Sequence, residues 1–458
     1  SLTQGEAAKA EPLLNQAREI AEKKVKTNRR DVVSILNNLA TLHLVKGDYL
    51  RAETLYQKAL ETHEGWRGKV NKLMDLARPV VNSSGSMTMD EGEWQNNNPH
   101  ITDTLNKLAL IRVRQRRFDE ANELLQRARR IQEYRLGVNH PSLAETFDNL
   151  ALLARFDHRT ADALSWQRRS NEIRETNLRH NLIVGSERQK LYNLAQLSGR
   201  LDFTLSLHLN DAASDPSACA VAMTALLRHK GRGLGAQTDS IAELRRSVKE
   251  QDQALLDNLL EARTRLANLI IAGEAGPRSN EAQTKQLDQE IEKLEEEIGQ
   301  HSSGFRALTQ AITPESVQRY IPANAALIEY ALYTPVDEFN QPKSAPRYAA
   351  YLLTAHGPPQ GIDLGEADKI DGLIDRLRKA LSDPKSADYK VLARALDERI
   401  MQPARRLAGP SRSFLIAPQG KLNLLPFGAL VDEDQVFLVN LYSFTYLTSG
   451  RDLLRLQN

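Results

Sequence analysis

The chain has 458 residues, 41% of them hydrophobic and 26% charged, the make-up of an ordinary globular protein of about three domains with room for a large core. Lys and Arg number 61 against 59 Asp and Glu, a net charge of +2, which is too balanced for a protein held to nucleic acid or membrane by charge. A single cysteine excludes an internal disulfide framework and a zinc ribbon, and it points to a reducing, cytoplasmic setting.

The first predicted elements repeat. Ala40, Ala52, Tyr56 and Ala59 share their spacing with Ala109, Ala121, Leu125 and Ala128, and again with Ala151, Ala163, Gln167 and Ser170. Two helices cross closely only where side chains are short, so each set predicts a helical hairpin, with a turn such as Lys46-Gly47-Asp48-Tyr49 between its arms. The period is 42 residues, and Ala10, Leu14 and Ala17 fit a leading half-repeat. Between Ala52 and Ala109 the spacing is 27 residues too long. The excess predicts an insertion near residues 65–98, whose NSSGSMTMDEGEWQNNNP stretch reads as a partly mobile loop. These units resemble tetratricopeptide repeats, in the lengthened form seen in kinesin light chains and many bacterial sensors, over residues 1–180. LGVNHPSLAETFDNLALL carries the likeness best. The resemblance implies a superhelix that binds a peptide, a protein or a neighbouring domain. It also places Asn38, Lys107 and Asn149, each two residues before the small residue of a first helix, on the concave groove. Asparagine there can bond an extended backbone; the alternative is plain solvated helix surface.

Residues 181–320 read as a helical connector. Pro216 opens a helix over DPSACAVAMTALLRHK and the glycines of KGRGLG end it, the expected asymmetry of a helix. A phosphate cradle would instead open a helix. Leu287, Ile291, Leu294 and Ile298 form a heptad seam, and GEAGPRSN turns the chain back toward the preceding helix. An antiparallel coiled-coil hairpin follows, with EKLEEE as its solvated face.

Residues 321–458 change texture. AALIEYALY, RYAAYLLTA and SRSFLIAP are short β-rich runs, whereas KIDGLIDRLRKALS and ADYKVLARALDERIMQPARRLAG are amphipathic, so helices should pack on a sheet. The fold class expected overall is mainly α: a tetratricopeptide-type solenoid, a helical connector with a coiled-coil hairpin, and the first half of an α/β domain. No apolar run reaches the ~18 to 20 residues of a membrane span, and the start SLTQGEAAKAE lacks the order of a signal peptide.

From Gly185 onward, GSERQKLYNLAQ, ALLRHKGR, ALIEYALY, RYAAYLL, IDLG, LIAPQGKLNLLPFGALVDED and FTYLTSGRDLL together resemble a CHAT domain, the caspase-like domain often found behind tetratricopeptide repeats. Gln419 departs from the aspartate usual before the turn glycine. The resemblance implies a caspase-like α/β fold and, in intact members, a cysteine peptidase with a His-Cys dyad; several relatives serve bacterial antiviral or cell-death systems. It also implies that Leu424, Pro426 and Phe427 are core, that Asp432 belongs to a turn, and that Ser449 and Arg451 lie near the active site. In the family the dyad sits in ATHG-like and LSAC-like strand ends after the SGRDLL segment. Neither motif occurs between that segment and Asn458, so no catalytic residue is assigned.

Two decoys spell parts of the dyad. Ser217-Ala218-Cys219 opens a helix, whereas such a nucleophile emerges from a buried strand to meet its base. Cys219 therefore reads as a small buried helix residue. His356, in Thr354-Ala355-His356-Gly357, reads as an exposed turn residue. No nucleotide-binding loop, HExxH or paired CxxC is present, and no two histidines are four apart, so neither cofactor nor metal is expected. Two readings remain. One is the sensor region and proximal half of a caspase-like peptidase that would cut a protein substrate; the other is a binding scaffold with a degenerate domain. Both expect a protein or peptide in the repeat groove and no nucleic-acid or membrane partner.

Overall fold

The computed structural model describes residues 29–75, 100–184, 198–230, 252–271, 277–302, 312–337, 340–383 and 388–455, with a few isolated positions besides. The leading half-repeat at Ala10, Leu14 and Ala17, the NSSGSMTMDEGEWQNNNP loop, the GSERQKLYNLAQ segment and the glycines after Lys230 lie outside them. The chain divides into two compact units, Ser1–Arg159 with Gly273–Glu281, and Thr160–Ala272 with Ala282–Asn458.

The first unit is built from helical hairpins. Helix α1 (Arg29–Val45) pairs with α2 (Tyr49–Asp75), α3 (His100–Arg114) pairs with α4 (Phe118–Leu136), and α5 (Leu143–Phe156) follows. Every repeat position read from spacing in these helices is buried: Ala40, Ala52, Tyr56 and Ala59, then Ala109, Ala121, Leu125 and Ala128, then Ala151. Short side chains at the crossings let the helices close, so burial of these positions is the physical content of the repeat. Helix α2 runs on to Asp75, so helix continues into the region expected to be inserted from residue 65. Gly47 turns the first hairpin at φ +78°, where a side chain would be strained.

The second unit opens with α6 (Thr160–Val184), which buries Ala163, Gln167 and Ser170. Next come α7 (Ser198–Ser206), continued by a π turn over Leu207–Asp211, and α8 (Pro216–His229). Asp215 caps α8 by accepting from the Ser217 N–H at 2.8 Å, with Pro216 in the first turn. These are two of the strongest helix-start devices. Helices α9 (Gln253–Ile271) and α10 (Pro277–His301) form the expected hairpin: Leu256, Leu259, Ala262 and Leu266 pack with Leu287, Ile291, Leu294 and Ile298. Within EKLEEE, Glu292, Lys293 and Glu296 are exposed, but Glu295 pairs with the buried Arg263 of the facing helix.

The α/β part has α11 (Pro314–Gln318), β1 (Ala325–Tyr333), β2 (Arg347–Thr354), β3 (Gln360–Glu366), α12 (Ala367–Ser382), α13 (Tyr389–Leu396), α14 (Gln402–Ala408), β4 (Ser413–Ala417), β5 (Ser443–Tyr446) and α15 (Asp452–Arg455). The sheet order is β3-β2-β1-β4-β5. The β1-β2 and β2-β3 pairs are antiparallel, and β1, β4 and β5 run parallel. Alternation of side chains along each strand divides the core in two. Ala326, Ile328 and Tyr330 join Tyr348, Phe414 and the apolar faces of α12, α13 and α14. Ala325, Leu327 and Ala331 join Tyr351, Leu415 and residues of α7, α8, α11 and α15. The inner strands β1, β2 and β4 are therefore buried on both faces, the usual state of a sheet covered by helices on each side.

After β4 the structure corrects one expectation. Phe427 is buried, but Leu424 is 48% exposed and Pro426 is exposed. The segment Gly420–Leu424 is a tight 3-10 turn, so its three-residue period sends Leu422 and Leu425 inward and turns Leu424 out. Asp432 does belong to a turn: its side chain accepts from the Asp434 and Val436 N–H groups at 3.0 and 2.8 Å. No helix among the described residues is long and apolar enough to cross a membrane.

Candidate functional site

In an open sheet, ligands bind outside the carboxyl ends of the parallel strands. Here those ends carry a buried polar node. Glu329 is the one acidic residue of the nine in β1, points to the α8 side of the sheet, and is fully buried. Its partner is Lys230, which caps the end of α8 and is 7% exposed. The Lys230 Nζ lies 2.7 Å from Glu329 Oε2 and donates to the carbonyls of Tyr330 at 2.9 Å and Ala417 at 2.6 Å. Two carbonyl acceptors and the facing carboxylate surround the ammonium, which offsets the cost of burying it.

The other carboxylate oxygen of Glu329 reaches the turn after β5. It accepts from Ser449 Oγ at 2.9 Å and from the Gly450 N–H. Gly450 is there because nothing larger fits: a Cβ would stand 2.5 Å from Leu327 Cδ2 and 3.1 Å from Leu227 Cδ2. Asp452 closes the turn by accepting from the Thr448 N–H and hydroxyl at 2.8 and 2.6 Å. Thus α8, β1, the end of β4 and the Ser449–Arg451 turn are joined by one lysine and one glutamate. Ser449 is fully buried with its hydroxyl committed to Glu329, while Arg451 is half-buried and its N–H approaches Ser449 Oγ at 3.4 Å.

A second set of bonds frames the turn after β4. Gln419 Oε1 accepts from the Leu332 N–H at 3.0 Å, a length of reach that the shorter aspartate lacks. Gly420 has φ +61°, and a Cβ there would meet the Tyr348 hydroxyl at 2.5 Å. That hydroxyl donates to Asp371 at 2.9 Å and accepts from the Lys421 N–H at 3.0 Å.

The decoy residues stand apart from this geometry. Cys219 is buried on α8 in the apolar layer, and burial pushes its thiol up to about 12. A nucleophilic thiol needs the opposite shift, and among the described residues no hydrogen bond joins it to a base. His356 is exposed in the turn between β2 and β3. Among the described residues no group of three His, Cys, Asp or Glu could hold a metal ion.

On the repeats, the first helices are bonded side by side. Thr104 Oγ1 donates to Asn37 Oδ1 at 3.0 Å, and Asn106 Nδ2 donates to Thr146 Oγ1 at 2.9 Å. Of the three groove positions, Asn38 is exposed, Lys107 is half-buried with its Nζ 2.6 Å from Glu145, and Asn149 is buried, donating to Asn106 Oδ1 at 3.0 Å. Asn38 and Lys107 thus present polar surface, while the Asn149 amide is already used between helices.

The node and the Asn106 ladder were missed by sequence reasoning. A lone acid inside AALIEYALY was the available signal, because a charge in a doubly buried strand demands a partner.

Two models of known families each match a part of the chain. The family model for tetratricopeptide repeats matches residues 2–65 and 101–176, and the model for the CHAT domain matches residues 390–458. No curated protein matches the chain.

Proposed function

We propose that this chain, which carries tetratricopeptide repeats followed by a CHAT-domain segment, is the sensing region and structural support of a caspase-like cysteine peptidase acting on a protein partner in a bacterial defence or cell-death pathway. The observation that carries this reading is the fixing of the Ser449–Arg451 turn, at the carboxyl end of β5, to Glu329 and Lys230. A strand-end turn held by buried hydrogen bonds is the kind of rigid platform on which a catalytic pair is positioned.

The chemistry divides between these residues and others. Cys219 cannot supply the nucleophile from inside the apolar layer, so the thiolate and its base come from polypeptide beyond the turn that the node holds. Lys230 links that turn to α8, giving movement of the connector a direct route to the strand ends. The partner is a protein or peptide laid along Asn38, Lys107 and Asn149, with Asn38 and the Lys107–Glu145 pair offering the exposed polar contacts.

The test is the reading frame downstream of Asn458. Two apolar strands, one ending in histidine and one in cysteine, should follow, and the extended protein should cleave its partner in a manner lost when that cysteine becomes alanine. A frame without such strands, or cleavage that survives the change, would refute the peptidase reading.

A further inference from the structure

Three side chains of one short connector segment fasten it to the sheet. On α7, Asp202 Oδ1 accepts from the Thr334 N–H at 3.2 Å, and Ser206 Oγ accepts from the Val336 N–H at 3.1 Å. The third is His208, in the π turn Leu207–Asp211 that continues the helix. Such single π turns occur frequently at functional sites. His208 is 1% exposed, and its Nδ1 lies 2.9 Å from the Tyr351 hydroxyl of β2. Gly361 of β3 makes the slot: a Cβ there would stand 2.7 Å from His208 Cε1 and 2.8 Å from Tyr351 Cε1. Gly361 pairs with Tyr351, and Tyr351 with Glu329, across the strands. The histidine seat and the Lys230–Glu329 node therefore share one row of the sheet.

The seat accepts one protonation state. Tyr351 is fully buried in the apolar layer, and burial holds its hydroxyl well above the usual range, so it keeps its proton and donates it. The acceptor is the bare Nδ1 of a neutral imidazole. A proton on Nδ1 would turn that acceptor into a donor, leave the tyrosine hydrogen without a partner, and hold a positive charge away from water. Burial accordingly pushes the imidazole below its ordinary range, against the Ala213 backbone and the Asp215 carboxylate, which favour the proton. The ionisable groups facing the seat are Asp202 of α7, Asp215 and Cys219 at the start of α8, Tyr333 of β1, Tyr351 of β2 and Asp363 of β3, the last held by Arg347 at 2.7 Å. Helix α6 meets the segment through Asn171, which reaches Thr204 at 3.5 Å. Of the charges on all these elements only Asp215 acts on the ring, and its carboxylate is committed to the Ser217 N–H at 2.8 Å.

We infer that His208 is a proton-operated latch between connector and sheet: neutral, it holds the segment Ser198–Asp211 in place, and protonated in mildly acidic surroundings it lets that segment go. The released turn binds a proton more readily than the seated one. The latch is therefore at full strength above the ordinary imidazole value of about 6.5 and weakens as pH falls below it. Asp202 works in the opposite sense, because burial pushes its carboxyl up and protonation removes a buried charge, so acid release does not come from it. Through the Asn171–Thr204 contact, the latch sets whether movement of α6 is carried to the sheet. This inference stands on the seat alone and is independent of the peptidase reading.

The experiment reads amide hydrogen exchange in the whole chain at about pH 7.5 and about pH 5, each rate divided by the intrinsic rate of a free amide at that pH. The reporters are the Ala212 N–H, bonded to the His208 carbonyl at 3.1 Å, and the Val336 N–H, bonded to Ser206. Protection at both should fall by about tenfold on acidification. Amides in α3 and β4 should keep theirs, which separates release from acid unfolding. His208→Gln, whose side chain can accept from Tyr351 without titrating, should hold protection constant within about twofold. An equal fall in that variant, or no fall in the native chain, would overturn the inference. Should the variant fail to fold, the titration of the His208 ring in the native chain, followed by NMR, decides instead. A midpoint below the ordinary value of about 6.5 sustains the latch, and one at or above it overturns it.

Discussion

Replacing Lys230 by methionine tests how much the strand-end node contributes. The change keeps the aliphatic stem and nearly the same volume, so the cost comes from charge and hydrogen bonding rather than from a cavity. It leaves the fully buried carboxylate of Glu329 with only Ser449 and Gly450 as donors, and it strips a donor from the carbonyls of Tyr330 and Ala417. Breaking a buried pair from one side costs roughly 3–5 kcal/mol, and each abandoned acceptor about 1 kcal/mol more. A loss of about 6 kcal/mol is comparable to the 5–15 kcal/mol that typically holds a domain. The assay is urea dependence of amide exchange in β1 and β4, which reports opening of this sheet and not of the repeats. Glu329→Gln alone should also destabilise. The double variant Lys230→Met with Glu329→Gln should recover about 2 kcal/mol relative to the sum of the singles, because no uncompensated charge remains. A single-variant loss under about 1 kcal/mol, or strict additivity, would refute the reasoning.

Other consequences are equally direct. Gly450→Ala should cost about 2 kcal/mol by overpacking against Leu327 and Leu227, seen as a lower melting temperature and faster exchange around residues 449–455. Asp397 is buried in the π turn over Asp397–Met401, where burial pushes its carboxyl up to about 6 against the pull of Arg405 and Arg394. A raised acid disfavours the folded state once it ionises. The native protein should therefore lose stability relative to Asp397→Asn as pH rises from about 4 to 6 and show a constant difference above that; a difference flat across that range in paired melting curves would rule it out. On the repeats, Asn38→Ala with Lys107→Ala should weaken the partner, measured by calorimetry, with little change in stability. Asn149→Ala should instead lower stability by about 1–2 kcal/mol, because Asn106 loses a buried donor.

What could be read from residues alone followed local rules. The small residues of the repeats announce helix crossings because their spacing is fixed by the helical hairpin, and every one described is buried. The seam from Leu287 to Ile298 is likewise a periodic signal, and AALIEYALY stands out as a short β-rich run. Leu424 and Pro426 defeated the same approach: LNLLPF looks like continuous core, but a 3-10 turn follows a three-residue period that apolar composition does not reveal. Lys230 was legible only as the end of a helix. Its partner lies 99 residues on, in β1, and the Ser449 turn that the pair holds is another 120 residues beyond Glu329. Contacts so distant leave no local spacing to detect. The groove positions were legible as a class, but the bond from Asn149 to Asn106 depends on the packing of neighbouring first helices.

The central claim is that these residues position chemistry without performing it. Its most direct measurement is a cleavage assay of the 458-residue chain against casein and a peptide library, run beside Cys219→Ala. A thiol buried in the apolar layer and pushed up to about 12 predicts the same null rate for both proteins. Cleavage by the native chain that disappears in Cys219→Ala would contradict the account.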